Sequence, residues 1–296
     1  MNTSKINIYN IFGISLWFIM AIIINYTMIT KSSDIEKNIN ETEVFYYEIQ
    51  PELFNWTNGI DGNMFNYTPS LQNYPDLPYW IHYKFNEKNK FGYIYGTPPI
   101  SSENQIKLDI VGLNRMTYQV LKKVIQLYIK KKEELAKYEV QIKINNLNIE
   151  DMFEQGRIKS LLDIFRQHLW RESEFNVYMT KLASTRELGQ RVPLDPKDQE
   201  GVVVFIGSAT NFSSTLYELE KEISPLHKLI KCPKDFKRTS VERYFRNNNF
   251  NLDWCSFRLV ILSRNNYIKS VSNENFKTLK NYEENIWELM EPLHNL

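Results

Sequence analysis

Hydrophobic periodicity changes once along these 296 residues, at the densest charge block, Lys130-Lys131-Lys132-Glu133-Glu134. Upstream, Ile106, Leu108 and Ile110 alternate with Lys107 and Asp109, and Ile125, Leu127 and Ile129 repeat the pattern. A period of two puts successive side chains on opposite faces, so these are strands with one buried face. Gly92, Gly96, Pro98 and Pro99 cut the intervening sequence into short runs. Such strands predict a β-sandwich from Phe45 to about Lys130, with Trp80 and Tyr83 in its aromatic core. Downstream the pattern is mixed. Val140, Ile142 and Ile144 alternate as a strand, then Ile158, Leu161, Leu162, Phe165 and Leu169 share one face of a helix. Tyr178–Leu182 reads as a strand, and Gly201–Gly207 (GVVVFIG) as a central buried one. Phe212–Ile223 reads as a helix capped by Asn211, and Leu252–Leu262 as a last strand carrying Cys255. The order β-α-β-β-α-β predicts a ferredoxin-like α+β domain with its helices on one face of the sheet. The charge block itself predicts a solvated link between two domains, where a protease should cut first.

A second feature sets the compartment. Ile11–Ile24 (IFGISLWFIMAIII) is uncharged and follows Lys5, while acidic residues begin at Asp34. A basic start ahead of an apolar run reads residues 1–30 as a signal peptide or, uncleaved, a signal-anchor. Either version delivers the chain after about Lys31 to the extracellular side. Sequons agree with export: Asn40-Glu41-Thr42, Asn55-Trp56-Thr57, Asn66-Tyr67-Thr68 and Asn211-Phe212-Ser213 offer Asn40, Asn55, Asn66 and Asn211 as glycan acceptors. Pro69 directly after the third sequon weakens it. The chain has two cysteines, Cys232 and Cys255. An even pair in an oxidising compartment predicts one disulfide. The bridge would close a loop of about 22 residues and contribute on the order of 3 kcal/mol in the chain-entropy picture.

The sequence offers little chemistry. With 36 Lys+Arg against 35 Asp+Glu, it lacks the basic excess of a nucleic-acid binder. His82, His168, His227 and His294 are scattered, with no pair at zinc-ligand spacing. Gly207-Ser208-Ala209 lacks the flanking glycines of a nucleophile elbow. Asp195, Asp198 and Glu200 sit among prolines, as in a solvated loop. Asp61, Asp76 and Asp109 are isolated rather than grouped as calcium ligands. No catalytic residue, metal or cofactor is expected.

Five ordered motifs carry more information. Asp76-Leu77-Pro78-Tyr79-Trp80 leads into a strand, and Tyr95-Gly96-Thr97-Pro98 closes the next one. Arg191-Val192-Pro193-Leu194, Phe212-Ser213-Ser214 and Asp253-Trp254-Cys255 follow. In this order and spacing, from about Phe45 to Val260, the chain resembles the ectodomain of the alpha/epsilon sarcoglycan family. That resemblance implies a non-enzymatic membrane glycoprotein of the dystrophin-associated complex. It implies a cadherin-like first domain (residues 31–132) related to those of dystroglycan, and a sarcoglycan α+β domain (137–262). It also implies beta, gamma and delta sarcoglycans as partners at the muscle plasma membrane, with neither nucleic acid nor a small-molecule substrate. The family continues into a transmembrane helix, whereas residues 263–296 read as a polar, juxtamembrane-like tail without one. Thr215 stands where the family carries a cysteine, and Lys181 where it often carries a sequon. A second reading is a stand-alone adhesion or ligand-binding module related to dystroglycan.

Overall fold

A computed structural model describes residues 35–56, 64–154, 156–189, 199–228 and 239–262. The architecture is mostly β, and among the described residues the α-helices all fall in the second half. Four strands form the first sheet in the order β1-β7-β6-β3: β1 is Ile35–Asn40, β3 Phe65–Leu71, β6 Gln105–Asn114 and β7 Gln119–Lys130. β1 runs parallel to β7; the other pairs are antiparallel. A second sheet of three antiparallel strands has the order β2-β5-β4, with β2 Phe45–Ile49, β4 Ile81–Phe85 and β5 Gly92–Gly96.

The alternation read from the sequence is what joins these sheets. Leu108, Ile110, Ile125, Leu127 and Ile129 bury one face of the first sheet against Ile49, Ile81 and Ile94 of the second. The aromatic core is larger than the one expected, with Trp80 and Tyr83 packed at its edge. Trp80 and Tyr83 are only half-buried. The buried stack is Phe54 on Trp56 at 4.8 Å, Trp56 on Phe65 at 5.3 Å and Phe54 on Tyr67 at 5.8 Å. The tryptophan indole also donates to Gln119 Oε1 at 2.9 Å. This stack lies over Gly112, where a Cβ would come within 2.8 Å of the Phe54 ring.

The second half builds one antiparallel sheet in the order β11-β8-β10-β9. Its strands are β8 Tyr138–Ile144, β9 Tyr178–Ser184, β10 Val202–Ser208 and β11 Arg258–Ile261. The helices are α1 Ile149–Met152, α2 Arg157–Ile164, α3 Ser214–Ile223 and α4 Glu242–Asn247. Val140, Ile142, Ile144, Val202, Val204 and Ile206 form the buried sheet face. Leu161, Ile164, Phe165 and Leu169 share their core, while Ile158 and Leu162 are half-buried at its rim. The stripe outlasts the α-helix: its last turn, Phe165–Leu169, winds as a π-turn.

Three expected details change. The cap of α3 is Ser213, whose hydroxyl accepts from Leu216 N at 3.1 Å, two residues later than expected. The last strand begins at Arg258, because the Asp253 carboxylate accepts from Cys255 N at 3.1 Å and folds Trp254–Ser256 into a 3-10 turn. Cys255 therefore sits on that turn rather than on a strand. In the charge block, finally, Lys130, Lys131, Glu133 and Glu134 are exposed as a solvated link requires, but Lys132 is held. Lys132 Nζ lies 2.9 Å from Glu43 Oε2 and 3.0 Å from the centroid of the Tyr178 ring. Ala136 is buried and donates its N–H to the Tyr178 hydroxyl at 2.9 Å.

Gly96, the glycine of the Tyr95-Gly96-Thr97-Pro98 motif, has the least room in the sandwich. A Cβ there would lie 2.0 Å from the Trp80 carbonyl oxygen, which is backbone and cannot swing away. Gly96→Ala is expected to cost about 3 kcal/mol or more through overpacking. Urea denaturation of the two proteins checks this; an unchanged midpoint would contradict the packing around β4 and β5.

Candidate functional site

β5 is buried on both faces. Strand alternation sends Ile94 into the sandwich core and Tyr93 and Tyr95 the other way, into the core of the second half. There they meet Phe153, at the end of α1. The Phe153 ring lies 5.0 Å from Tyr93, 5.1 Å from Tyr95 and 5.2 Å from Tyr46 of β2, centroid to centroid. Aromatic pairs at such separations gain about 0.5–1.5 kcal/mol each beyond the area they bury.

Local capping fixes that ring. Asn148 and Asp151 form a capping box at the start of α1, with Asn148 N donating to Asp151 Oδ2 at 2.8 Å. The other oxygen of the buried Asp151 accepts from Lys88 Nζ of the first half at 2.7 Å. That bond to Asp151 raises the Lys88 pKa above its ordinary value. Three further contacts cross the same seam: Val44 N to Met179 O at 2.9 Å, Thr97 Oγ1 to Thr180 O at 3.1 Å, and the buried Tyr95 hydroxyl to Glu187. The site is thus an aromatic and polar seam between the two halves. The sequence marked Gly92–Gly96 as a short strand, but not as one buried on both faces. Nothing local marked Phe153 or Tyr46 as its partners.

The outer face of the β11-β8-β10-β9 sheet carries polar residues that are largely covered. Glu139 and Gln141 are buried, and Lys143, Lys181 and Arg258 half-buried. Glu139 accepts from Gln141 Nε2 at 3.0 Å and from Thr180 Oγ1 at 2.7 Å. Burial nevertheless outweighs these bonds and raises its pKa. Burial likewise lowers the pKa of Lys143, opposed by the nearby Asp253 carboxylate.

The last two motifs pack the core of the second half. Trp254 is buried between Phe245 at 5.7 Å and Phe257 at 6.1 Å, and its indole donates to Glu242. Phe212 packs on Tyr138 at 5.1 Å and on Trp170 at 5.4 Å, and the Ser213 hydroxyl donates to the Leu169 carbonyl. Arg191–Leu194 lies outside the described residues, as do residues 1–30, the tail 263–296, Asp61, Asp195, Asp198, Cys232, His294 and the His227 side chain. The other histidines lie apart: His82 is exposed on β4, and His168 stacks on Tyr244 at 4.0 Å. Ser208 is fully buried. Among the described residues no group of three or more His, Cys, Asp or Glu could hold a metal ion. Asn40, Asn55, Asn66 and Asn211 are all exposed. No helix among the described residues is long and apolar enough to cross a membrane.

Residues 36–129 match the family model of the sarcoglycan alpha/epsilon N-terminal domain, and residues 135–261 that of the sarcoglycan alpha/epsilon second domain. With both domains matched in order, on either side of the seam described above, the chain belongs to the sarcoglycan alpha/epsilon family. Relatives include epsilon-sarcoglycan from Rattus norvegicus, Mus musculus and Homo sapiens, each 28% identical over 229 residues. The matched region is 75% of this chain and 50% of each relative, so the chain spans about half the length of those proteins. Solved structures resemble it only slightly. The sialic acid binding region of a Streptococcus sanguinis adhesin is 12% identical over 40% of this chain and 34% of that one, with a TM-score of 0.25. An endo-fucoidan hydrolase from glycoside hydrolase family 107 is 8% identical over 61% and 24% of the two chains, also at 0.25. Likenesses this slight inform neither fold nor function.

The raised pKa of Glu139 has a measurable consequence. The folded chain holds this proton more tightly than the unfolded chain, so stability falls as pH rises from the unfolded carboxyl range through the raised folded value. Glu139→Gln keeps the shape without the charge. It is expected to raise the urea midpoint at pH 7 and to lose that advantage below pH ~4. A variant less stable than the parent at pH 7 would contradict this.

Proposed function

We propose that the chain is a non-enzymatic, extracellular subunit of a sarcoglycan complex within the dystrophin-glycoprotein complex. There it helps link the cytoskeleton to the extracellular matrix at the muscle plasma membrane. The observation that carries this reading is the match of both family domains, in order, across the described fold. Its partners are the beta, gamma and delta sarcoglycans, and it reaches the cell surface through the secretory pathway, directed by residues 1–30.

Residues 31–132 form the cadherin-like domain of this reading, and the four- and three-stranded sheets packed on one core support it. Residues 137–262 form the ferredoxin-like domain. In its support, the β8-to-β9 and β10-to-β11 connections, both of which include helix, each skip one strand of the sheet, a split βαβ arrangement. Exposure supports Asn40, Asn55 and Asn211 as glycan carriers. Asn66 has the weakest case, since Pro69 follows its sequon within β3. Cys232 and Cys255 are joined, in this reading, by the disulfide their even number predicts.

Co-expression with beta, gamma and delta sarcoglycans in muscle-type cells, followed by purification in mild detergent, tests the assembly. Stoichiometric co-elution is expected, whereas recovery as a monomer would favour a stand-alone adhesion module. Peptide mapping of the same material without reductant should give the linked Cys232–Cys255 pair; two alkylated thiols would contradict it.

A further inference from the structure

A cleft of about 310 Å³ opens between α2 with its π-turn and the end of α4. That volume lies at the lower end of the range for small-ligand sites, about 300–1,000 Å³. Ser160, Asp163 and Gln167 recur at helical spacing and form one wall, and Asn247 and Asn248 form the other. The buried Ile164 is the one aliphatic residue among them. Both walls are held in place. Phe165 and Phe245, fully buried, pack edge to face at 6.0 Å and join the two helices through the core. His168 stacks on Tyr244 at 4.0 Å, 10° from parallel, and Arg243 donates to the Tyr244 hydroxyl at 2.9 Å. The wider π-turn, closed by Trp170 N on Phe165 O at 2.6 Å, presents Gln167 and His168 to the cleft. Turns of this kind are rare and recur at functional sites.

The walls hold unspent hydrogen-bonding capacity. The side chains of Ser160, Gln167 and Asn247 make no hydrogen bond among the described residues. Asp163 takes only a long contact from Arg166, at 3.4 Å. Asn248 spends one amide N–H on the Tyr244 carbonyl at 2.9 Å, which leaves its Oδ1 open. A hydroxyl, carboxamides and a carboxylate on facing walls can both donate and accept. No lysine or arginine lines the cleft, so a phosphate or sulfate would find no counter-charge there. An apolar ligand would strip water from these groups and leave them unpaired. A sugar ring is the complement. Its hydroxyls each donate and accept around the edge, while its C–H face turns toward Ile164.

We propose that the cleft between α2 and α4 binds a neutral sugar ring, either as a free saccharide or as one residue of a glycan carried by another protein. Ser160, Asp163 and Gln167 take hydroxyls on one side and Asn247 and Asn248 on the other, with the His168–Tyr244 stack holding the walls at a fixed spacing. Such binding is independent of assembly with other sarcoglycans, so the two stand or fall separately.

Saturation-transfer difference NMR on the full chain, made in secretory cells, tests this with neutral hexoses, pentoses and N-acetylhexosamines as probes. Transfer to the ring protons of at least one sugar is expected. Gln167→Ala combined with Asn247→Ala removes two exposed side chains, and should weaken that binding about tenfold through the lost hydrogen bonds. Glu218→Ala, exposed on α3, should leave it unchanged. Thermal midpoints equal to the parent's confirm that both variants fold. Arrayed glycans, protein-linked and released, separate the two sources: preference for the linked form assigns a glycoprotein partner, and equal binding assigns a free saccharide. No transfer to any sugar overturns the inference, as does binding that the double variant leaves intact. Capture of extended peptides in place of sugars assigns the cleft to a polypeptide and overturns it as well.

Discussion

A strand buried on both faces must find apolar neighbours on both sides, and β5 imposes this on the whole structure. Ile94 takes its neighbours from the sandwich, while Tyr93 and Tyr95 take theirs from the second half, chiefly through Phe153. Lys88, Asp151, Val44, Met179, Thr97 and Thr180 surround this contact with hydrogen bonds. Neither half is then complete by itself: without the second, two buried tyrosines of the first would face water. The two family domains behave, on this account, as one packed body, and the pinned Lys132–Ala136 segment is a joint rather than a tether.

Much of the fold was legible because it depends on short-range period. Alternation at Ile106–Ile110 and Ile125–Ile129 gave β6 and β7, and the stripe from Leu161 to Leu169 gave the helix under the β11-β8-β10-β9 sheet. Details set by single side chains were not legible. Asp253 turned the expected start of a strand into a 3-10 turn, and Ser213 rather than Asn211 closed the end of α3. The aromatic core went to Phe54, Trp56, Phe65 and Tyr67 because Gly112 leaves room for their stack, a tertiary fact with no local signal. The seam was half legible. Its tyrosines stand between glycines, but Phe153 lies 58 residues on from Tyr95, and only the packed structure brings them together.

The family motifs gain a physical reading from this geometry. Gly96 leaves space for the Trp80 carbonyl, Thr97 reaches across the seam, and Trp254 fills the second core beneath Glu242. These motif residues are spent on shape. What such a chain can offer a partner is surface, where among the described residues Met116, Tyr118, Val120 and Phe175 stand exposed.

Differential scanning calorimetry of the parent and of Phe153→Ala tests the central claim most directly. The account predicts one cooperative transition for the parent. Removing the ring should cost about 3–5 kcal/mol and separate the unfolding of the two halves into two transitions. A variant that still unfolds in a single transition at the parent's temperature would show that the halves do not depend on this contact.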